Sequence, residues 1–106
     1  MDPAIVVIGS LNMDFVVTVD RVPVPGETVI GDHFEMNPGG KGANQAFAAG
    51  LLGGKTAMIG RVGNDVFGDH LRASLAAAGV DVSAIQTTPS KPTGVALIWV
   101  ERAGQN

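Results

Sequence analysis

The sequence predicts an α/β fold, a mostly parallel sheet with helices packed against it, interrupted by a small β excursion. Two short apolar runs, Ile5-Val6-Val7-Ile8-Gly9 and Lys55-Thr56-Ala57-Met58-Ile59-Gly60, flank an alanine-rich helical stretch. Such runs fit strands covered on both faces, and a strand–helix–strand crossover of right-handed connection makes the second parallel to the first. Between the first run and the helix lie further extended stretches with no helix separating them, which is the grammar of antiparallel pairing. The helix then begins directly after Pro38-Gly39-Gly40.

The totals bound the answer. With 106 residues the chain holds one domain at most, and 45% hydrophobic against 16% charged residues describes a globular protein. A net charge of −3 argues against nucleic acid as a partner, since the scattered basic residues form no patch. No apolar run approaches the roughly 18 residues that cross a bilayer. The opening residues lack a basic start and a small-residue cleavage site, and there is no cysteine for a disulfide or thiolate metal site. A soluble, cytoplasmic protein with no membrane partner is expected. His33 and His70 are too few and too far apart for zinc and read as surface residues.

Taken in order, the first strand ends at Gly9, and Ser10-Leu11-Asn12-Met13-Asp14 reads as the loop at its carboxyl end. Ligands of open α/β sheets bind there, so Asn12 and Asp14 are site candidates. Phe15–Val19 and Thr28–Ile30 read as strands of the excursion, punctuated by Pro23, Pro25 and Gly26, with His33–Met36 able to extend the pairing. A flap over a site and a plain edge hairpin are equally compatible with these residues. The helix from Lys41 to about Leu52 places Ala43, Ala46, Phe47, Gly50 and Leu51 on one buried stripe, and Gly53-Gly54 stops it.

After the strand ending at Gly60, Arg61–Asp65 reads as a loop with an N-cap at Asn64 or Asp65. The second helix runs to about Ala78 with Phe67, Leu71, Leu75 and Ala78 inward, leaving Asp69, His70 and Arg72 on a solvated face. Val80–Ile85 reads as a short strand, Thr87–Pro92 as a loop and Thr93–Val100 as a last, strongly apolar strand. Arg102–Asn106 reads as a turn with no strand returning from it, so the chain is expected to be a portion of something longer.

The stretch Asn37-Pro38-Gly39-Gly40-Lys41-Gly42-Ala43-Asn44 is the centre of the functional reading. Glycines leave no side chain to block a ligand, and a helix starting there aims unpaired N–H groups into the loop. Lys41 and Asn44 add polar side chains. The phosphate-binding pattern G-x-x-x-x-G-K-[ST] fails because Gly42 follows Lys41, and Gly9-Ser10-Leu11-Asn12-Met13-Asp14 fails G-x-G-x-x-G. No G-x-S-x-G elbow is present, and Ser10 reads as a structural hydroxyl. A hydroxyl-bearing ligand fits better than a phosphate. The competing reading is that Asp14 caps a turn and Lys41 is merely solvated.

Gly39-Gly40-Lys41-Gly42-Ala43-Asn44-Gln45-Ala46, with Gly53 and Gly63 at their offsets, is similar to the N-terminal signature of the ribokinases, within the PfkB carbohydrate and nucleoside kinases. Gly9–Asp14, Pro25-Gly26-Glu27-Thr28, Gly63-Asn64-Asp65-Val66-Phe67-Gly68 and Thr93-Gly94-Val95-Ala96 extend the resemblance along the chain. It implies a Rossmann-like, three-layer ribokinase-type sheet, here partial, forming a single truncated N-terminal half over residues 1–106. Residues 15–36 would be the β-lid, which favours the flap over the hairpin.

By that resemblance Asn12 and Asp14 bind sugar hydroxyls, while Gly39, Gly40, Lys41 and Asn44 close the pocket. The role of Lys41 stays open. The implied activity is ATP-dependent phosphorylation of D-ribose, with fructose, a nucleoside or another sugar as alternatives. ATP, Mg2+ and a monovalent cation are implied for the full-length parent and none for this chain alone. The family's catalytic aspartate belongs to a C-terminal glycine-rich motif without a counterpart here; Asp65 and Asp69 do not match it. Two readings follow: the sugar-binding part of a kinase, or a stand-alone fragment that folds and self-associates without activity. Weak ribose binding and homo-oligomers through the lid or an open sheet edge are expected.

Overall fold

The computed structural model describes residues 2–103. Six strands and two helices follow one another: β1 Ile5–Ile8, β2 Asn12–Val19, β3 His33–Gly39, α1 Lys41–Leu51, β4 Thr56–Gly63, α2 Val66–Ala77, β5 Ile85–Thr88 and β6 Gly94–Glu101. They form two three-stranded sheets, ordered β1-β4-β5 and β3-β2-β6. In the first sheet all pairings are parallel, with Ile5 opposite Thr56 and Gly60 opposite Ile85. The crossovers β1-α1-β4 and β4-α2-β5 step in the same direction, so right-handed connections place both helices on one face.

That layer explains the core. Met58 and Val62 of β4, Ala43 and Ala46 of α1, and Leu71 and Leu75 of α2 cluster with Leu11, Met13, Ala78, Val80 and Ile85. Small side chains bring α1 close: Gly42 lies so near Gly9 that a Cβ on it would stand 2.8 Å from the Gly9 Cα. The predicted stripe on α1 is narrower than its periodicity indicated. Gly42, Ala43 and Ala46 are buried, whereas Phe47 and Leu51 are exposed. The strand β1 is likewise not covered on both faces: Val6 and Ile8, alternating with the inward Val7, are exposed because the described residues supply helices to one face only.

The second sheet is larger than the hairpin expected. β3 pairs antiparallel with β2, and β6 pairs parallel with β2 on its other side. Thr28–Ile30 forms no strand; the antiparallel partner is His33–Gly39, in a register that sets Phe15 opposite Met36 and Asp14 opposite Asn37. Pro38, lacking an N–H, is tolerated because β3 has β2 as its only partner among the described residues. The connection 20–32 is pinned instead by side chains. Arg21 pairs with Glu27, whose carboxylate also accepts from the Val24 N–H at 3.2 Å, and Gly26 turns with φ +81°. Arg102 pairs with both Asp20 and Asp32.

Other boundaries moved for similar reasons. β4 continues through Arg61–Gly63, predicted as loop, because β5 pairs with it there. Of the Val80–Ile85 stretch, Asp81 makes an isolated bridge to Ala57 and Ile85 alone enters a strand, which is Ile85–Thr88. Arg72, assigned to a solvated face, instead crosses from α2 to β5, where its guanidinium donates to the Ile85 carbonyl and to the Thr87 hydroxyl. Of the predicted final turn, residues 104–106 lie outside the described residues.

Candidate sugar-binding site

Asn12 and Asp14 open β2 rather than lying in a loop before it, and strand alternation gives them a common face. Their neighbours Met13, fully buried, and Phe15 take the other face, where Phe15 meets Phe67 edge-on at 5.2 Å. The core therefore fixes the rotation of β2, and with it the direction of the two polar side chains. The Asn12 amide nitrogen donates to the Asp14 Oδ1 at 2.8 Å. One carboxylate oxygen thus orients the amide, while the second remains available to accept from a ligand hydroxyl.

Glycine is required on both sides of this pair. Gly39 stands opposite Asn12, and a Cβ there would lie 2.6 Å from the Asp14 Oδ2, inside the carboxylate. Gly40 turns the chain into α1 with φ +99°, and a Cβ there would meet the Ser10 carbonyl oxygen at 2.5 Å and the Asn12 Oδ1 at 3.1 Å. The start of α1 is fastened below by the Ala43 N–H donating to the Ser10 carbonyl at 3.0 Å. Gly40 caps the helix without a side-chain acceptor, so no cap side chain occupies the first N–H groups of α1.

Asn12, Asp14, Gly39 and Gly40 are thus brought into mutual contact. Lys41 and Asn44 are not: both are exposed on the first turn of α1, and among the described residues neither hydrogen-bonds to Asn12 or Asp14. Asn44 borders a separate cavity of about 260 Å³ between the two helices, lined otherwise by Pro38, Ala43, Phe47, Leu71, Ser74 and Leu75. That cavity is mainly apolar and lies on the core side of β3, away from the Asp14 carboxylate.

Two features escaped the sequence reading. Asn37 faces Asp14 across the β2–β3 pair, and Glu35 and His33 continue that polar row, with the His33 Nε2 2.7 Å from Glu35. The His33 ring and the Asn37 amide hold the Glu35 carboxyl below its ordinary pKa. The signal was present as the alternation His33-x-Glu35-x-Asn37. The second feature is the tie from Asp65 to Thr93: one of the two N-cap candidates, Asp65 caps α2 by accepting from the Gly68 N–H on Oδ1 at 2.9 Å, and its Oδ2 also accepts from the Thr93 N–H at 2.9 Å. Hydrogen bonds from Thr93 and from the helix start keep its carboxyl below the usual range.

The chemistry open to the site is hydroxyl recognition. A carboxylate flanked by an amide suits two vicinal hydroxyls, one donating to each acceptor. The glycine-rich start of α1 lacks the Lys-Ser/Thr pair of a P-loop, and among the described residues no three His, Cys, Asp or Glu side chains converge on a metal position.

The family model described as pfkB family carbohydrate kinase matches residues 2–106. The chain is 40% identical to a ribokinase of Haemophilus influenzae over 106 residues, covering all of this chain and 35% of that protein. It is 47% identical to a ribokinase of Bacillus subtilis over 94 residues, 89% of this chain and 32% of the relative. The Arabidopsis thaliana ribokinase structure, complexed with ribose and ATP, superposes with a TM-score of 0.91 at 36% identity, over 100% of this chain and 35% of that one. The chain belongs to the pfkB carbohydrate kinase family, and it spans about a third of the length of these relatives. Among the described residues no helix is long and apolar enough to cross a membrane.

Proposed function

We propose that this chain is the sugar-binding portion of an ATP-dependent ribokinase-like kinase, whose complete form phosphorylates D-ribose at its 5-hydroxyl. The observation that carries the reading is the Asn12–Asp14 pair, held by a 2.8 Å hydrogen bond against two glycines that a side chain would displace. Fixed acceptors and donors on rigid elements discriminate hydroxyl positions by leaving a polar group unpaired when a hydroxyl is absent. Relatives named ribokinase, and one structure bound to ribose and ATP, support ribose over fructose or a nucleoside. Lys41 and Asn44 join the site by swinging from the exposed first turn of α1 toward a bound sugar. A cytoplasmic location goes with this reading.

The base that takes the hydroxyl proton and the groups that hold ATP, magnesium and a monovalent cation belong, on this reading, to sequence these 106 residues do not contain. The chain alone is therefore expected to bind sugar weakly and to transfer no phosphate. Calorimetric titration with D-ribose tests the first part: heat at millimolar sugar, lost in Asp14→Ala, is expected, and no heat in either protein would reject it. A coupled assay of ADP release tests the second, and ribose-dependent turnover above the Asp14→Ala level would contradict it.

A second reading, a self-associating scaffold without activity, is favoured by the apolar face of the second sheet, where Leu97 is 72% and Trp99 46% exposed. The two readings are compatible, since self-association through the lid sheet leaves the Asp14 face free.

A further inference from the structure

We propose that Asp65 and Thr93 form a clamp that positions the sugar site, although neither faces the sugar. The second sheet joins the rest of the molecule at three places, Leu11–Asn12, Gly39–Gly40 and Thr93–Gly94, and the register sets Asn12 opposite both Gly39 and Gly94. Two of these junctions are fixed by backbone packing at Ser10, Gly40 and Gly42. The third is fixed by side chains. The Thr93 hydroxyl, 3% exposed as a residue, donates to the Asp65 Oδ1 at 2.6 Å and accepts from the Gly63 N–H at 2.9 Å. The Thr93 N–H donates to the other Asp65 oxygen at 2.9 Å.

Glycines clear the ground for this contact. A Cβ on Gly63 would stand 2.4 Å from the Thr93 nitrogen, and one on Gly68 would stand 2.5 Å from the Gly63 carbonyl oxygen. The turn from β4 into α2 is thus shaped to receive Thr93, the residue immediately before β6. From there Gly94 and Ala96 pass directly beside Asn12 and Asp14. Where Thr93 is held decides where β6 enters the sheet, and so decides the wall beside the two sugar-binding side chains. Asp65 already has a helix to cap, and capping uses one oxygen. The second oxygen accepts from the Thr93 N–H, and the Thr93 hydroxyl shares the capping oxygen, so one carboxylate ties the helix start to the junction.

In its effect on sugar the inference rests on the reading given under Proposed function; in its effect on the sheet it stands alone. Amide hydrogen exchange on the full chain tests it in wild type, Thr93→Val, Thr93→Ser and Asp65→Asn. Thr93→Val and Asp65→Asn are expected to speed exchange in β6 and β2 by about tenfold, the scale of one lost hydrogen bond, with β1 and the Ala57–Ile59 segment unchanged. Thr93→Ser, which keeps the hydroxyl, should stay near wild type. Equal acceleration in every strand, or no difference between Val and Ser at position 93, would overturn the clamp. Ribose titration of the same proteins should show weaker binding in Thr93→Val than in Thr93→Ser. Absence of ribose binding in the wild type would count against the sugar reading alone, since exchange still decides the clamp.

Discussion

At the scale of single residues, the site depends on what glycine omits and what one carboxylate accepts. Gly39→Ala would push a methyl into the Asp14 carboxylate, where the Cβ position is 2.6 Å from Oδ2. Overpacking of this kind costs about 1–3 kcal/mol, and denaturant unfolding should show it together with loss of sugar binding. Gly53→Ala is the control: it sits at φ +88° with open space around it, so only the backbone strain of about 1–2 kcal/mol applies and binding should survive. Asp65 gives a pH signature. Its folded pKa is lowered, so its stabilisation is complete above the unfolded value near 4 and disappears as pH falls through the folded value. Glu27, Glu35 and Asp81 shift in the same direction, so the test is a difference: Asp65→Asn should flatten the acid side of the curve of urea midpoint against pH. Unchanged steepness would rule out the Asp65 contribution.

At the scale of elements, helices were the easiest to read. An N-cap at Asn64 or Asp65, the inward Leu71 and Leu75 of α2, and the inward Ala78 at its C-cap follow from periodicity and capping chemistry, which are local. Strand partners were not legible, because pairing is decided by residues distant in sequence. Thr28–Ile30 has the composition of a strand, yet Thr18 and Val17 pair with His33 and Phe34 and leave it outside the ladder. Asn12 and Asp14 are site candidates by position and chemistry, but their place inside β2 depends on β6, about eighty residues away. Phe47 and Leu51 matched a helical stripe, and their exposure reflects how little of the chain packs beyond α1 and α2. The close approach of α1 to the β1–β2 loop makes a prediction of its own. Gly42→Ala gains helix propensity worth up to about 1 kcal/mol, but its methyl meets the backbone of Gly9 at 2.8 Å. A net loss of stability, read by thermal unfolding, is expected; a gain would show that the helix can shift freely.

At the scale of the molecule, two apolar surfaces lie open among the described residues. One is the helix-free face of the first sheet, with Val6, Ile8 and Ile59; the other is the second sheet's face bearing Phe34, Met36, Leu97 and Trp99. Contiguous apolar sheet faces of this kind favour association. Light scattering should give a mass above the monomer that rises with concentration, and Leu97→Lys should lower it; a constant monomer mass would remove the self-association reading. The proposed sugar site lies on the other face of the second sheet, where the carboxylate, amide and glycines meet. Amide chemical shifts recorded during titration with D-ribose locate a ligand directly. The expected result is a set of saturating shifts confined to Asn12–Asp14, Gly39–Asn44 and Gly94–Ala96, absent in Asp14→Ala. Shifts centred instead on the cavity between α1 and α2, or none at millimolar ribose, would contradict the assignment of this site to sugar.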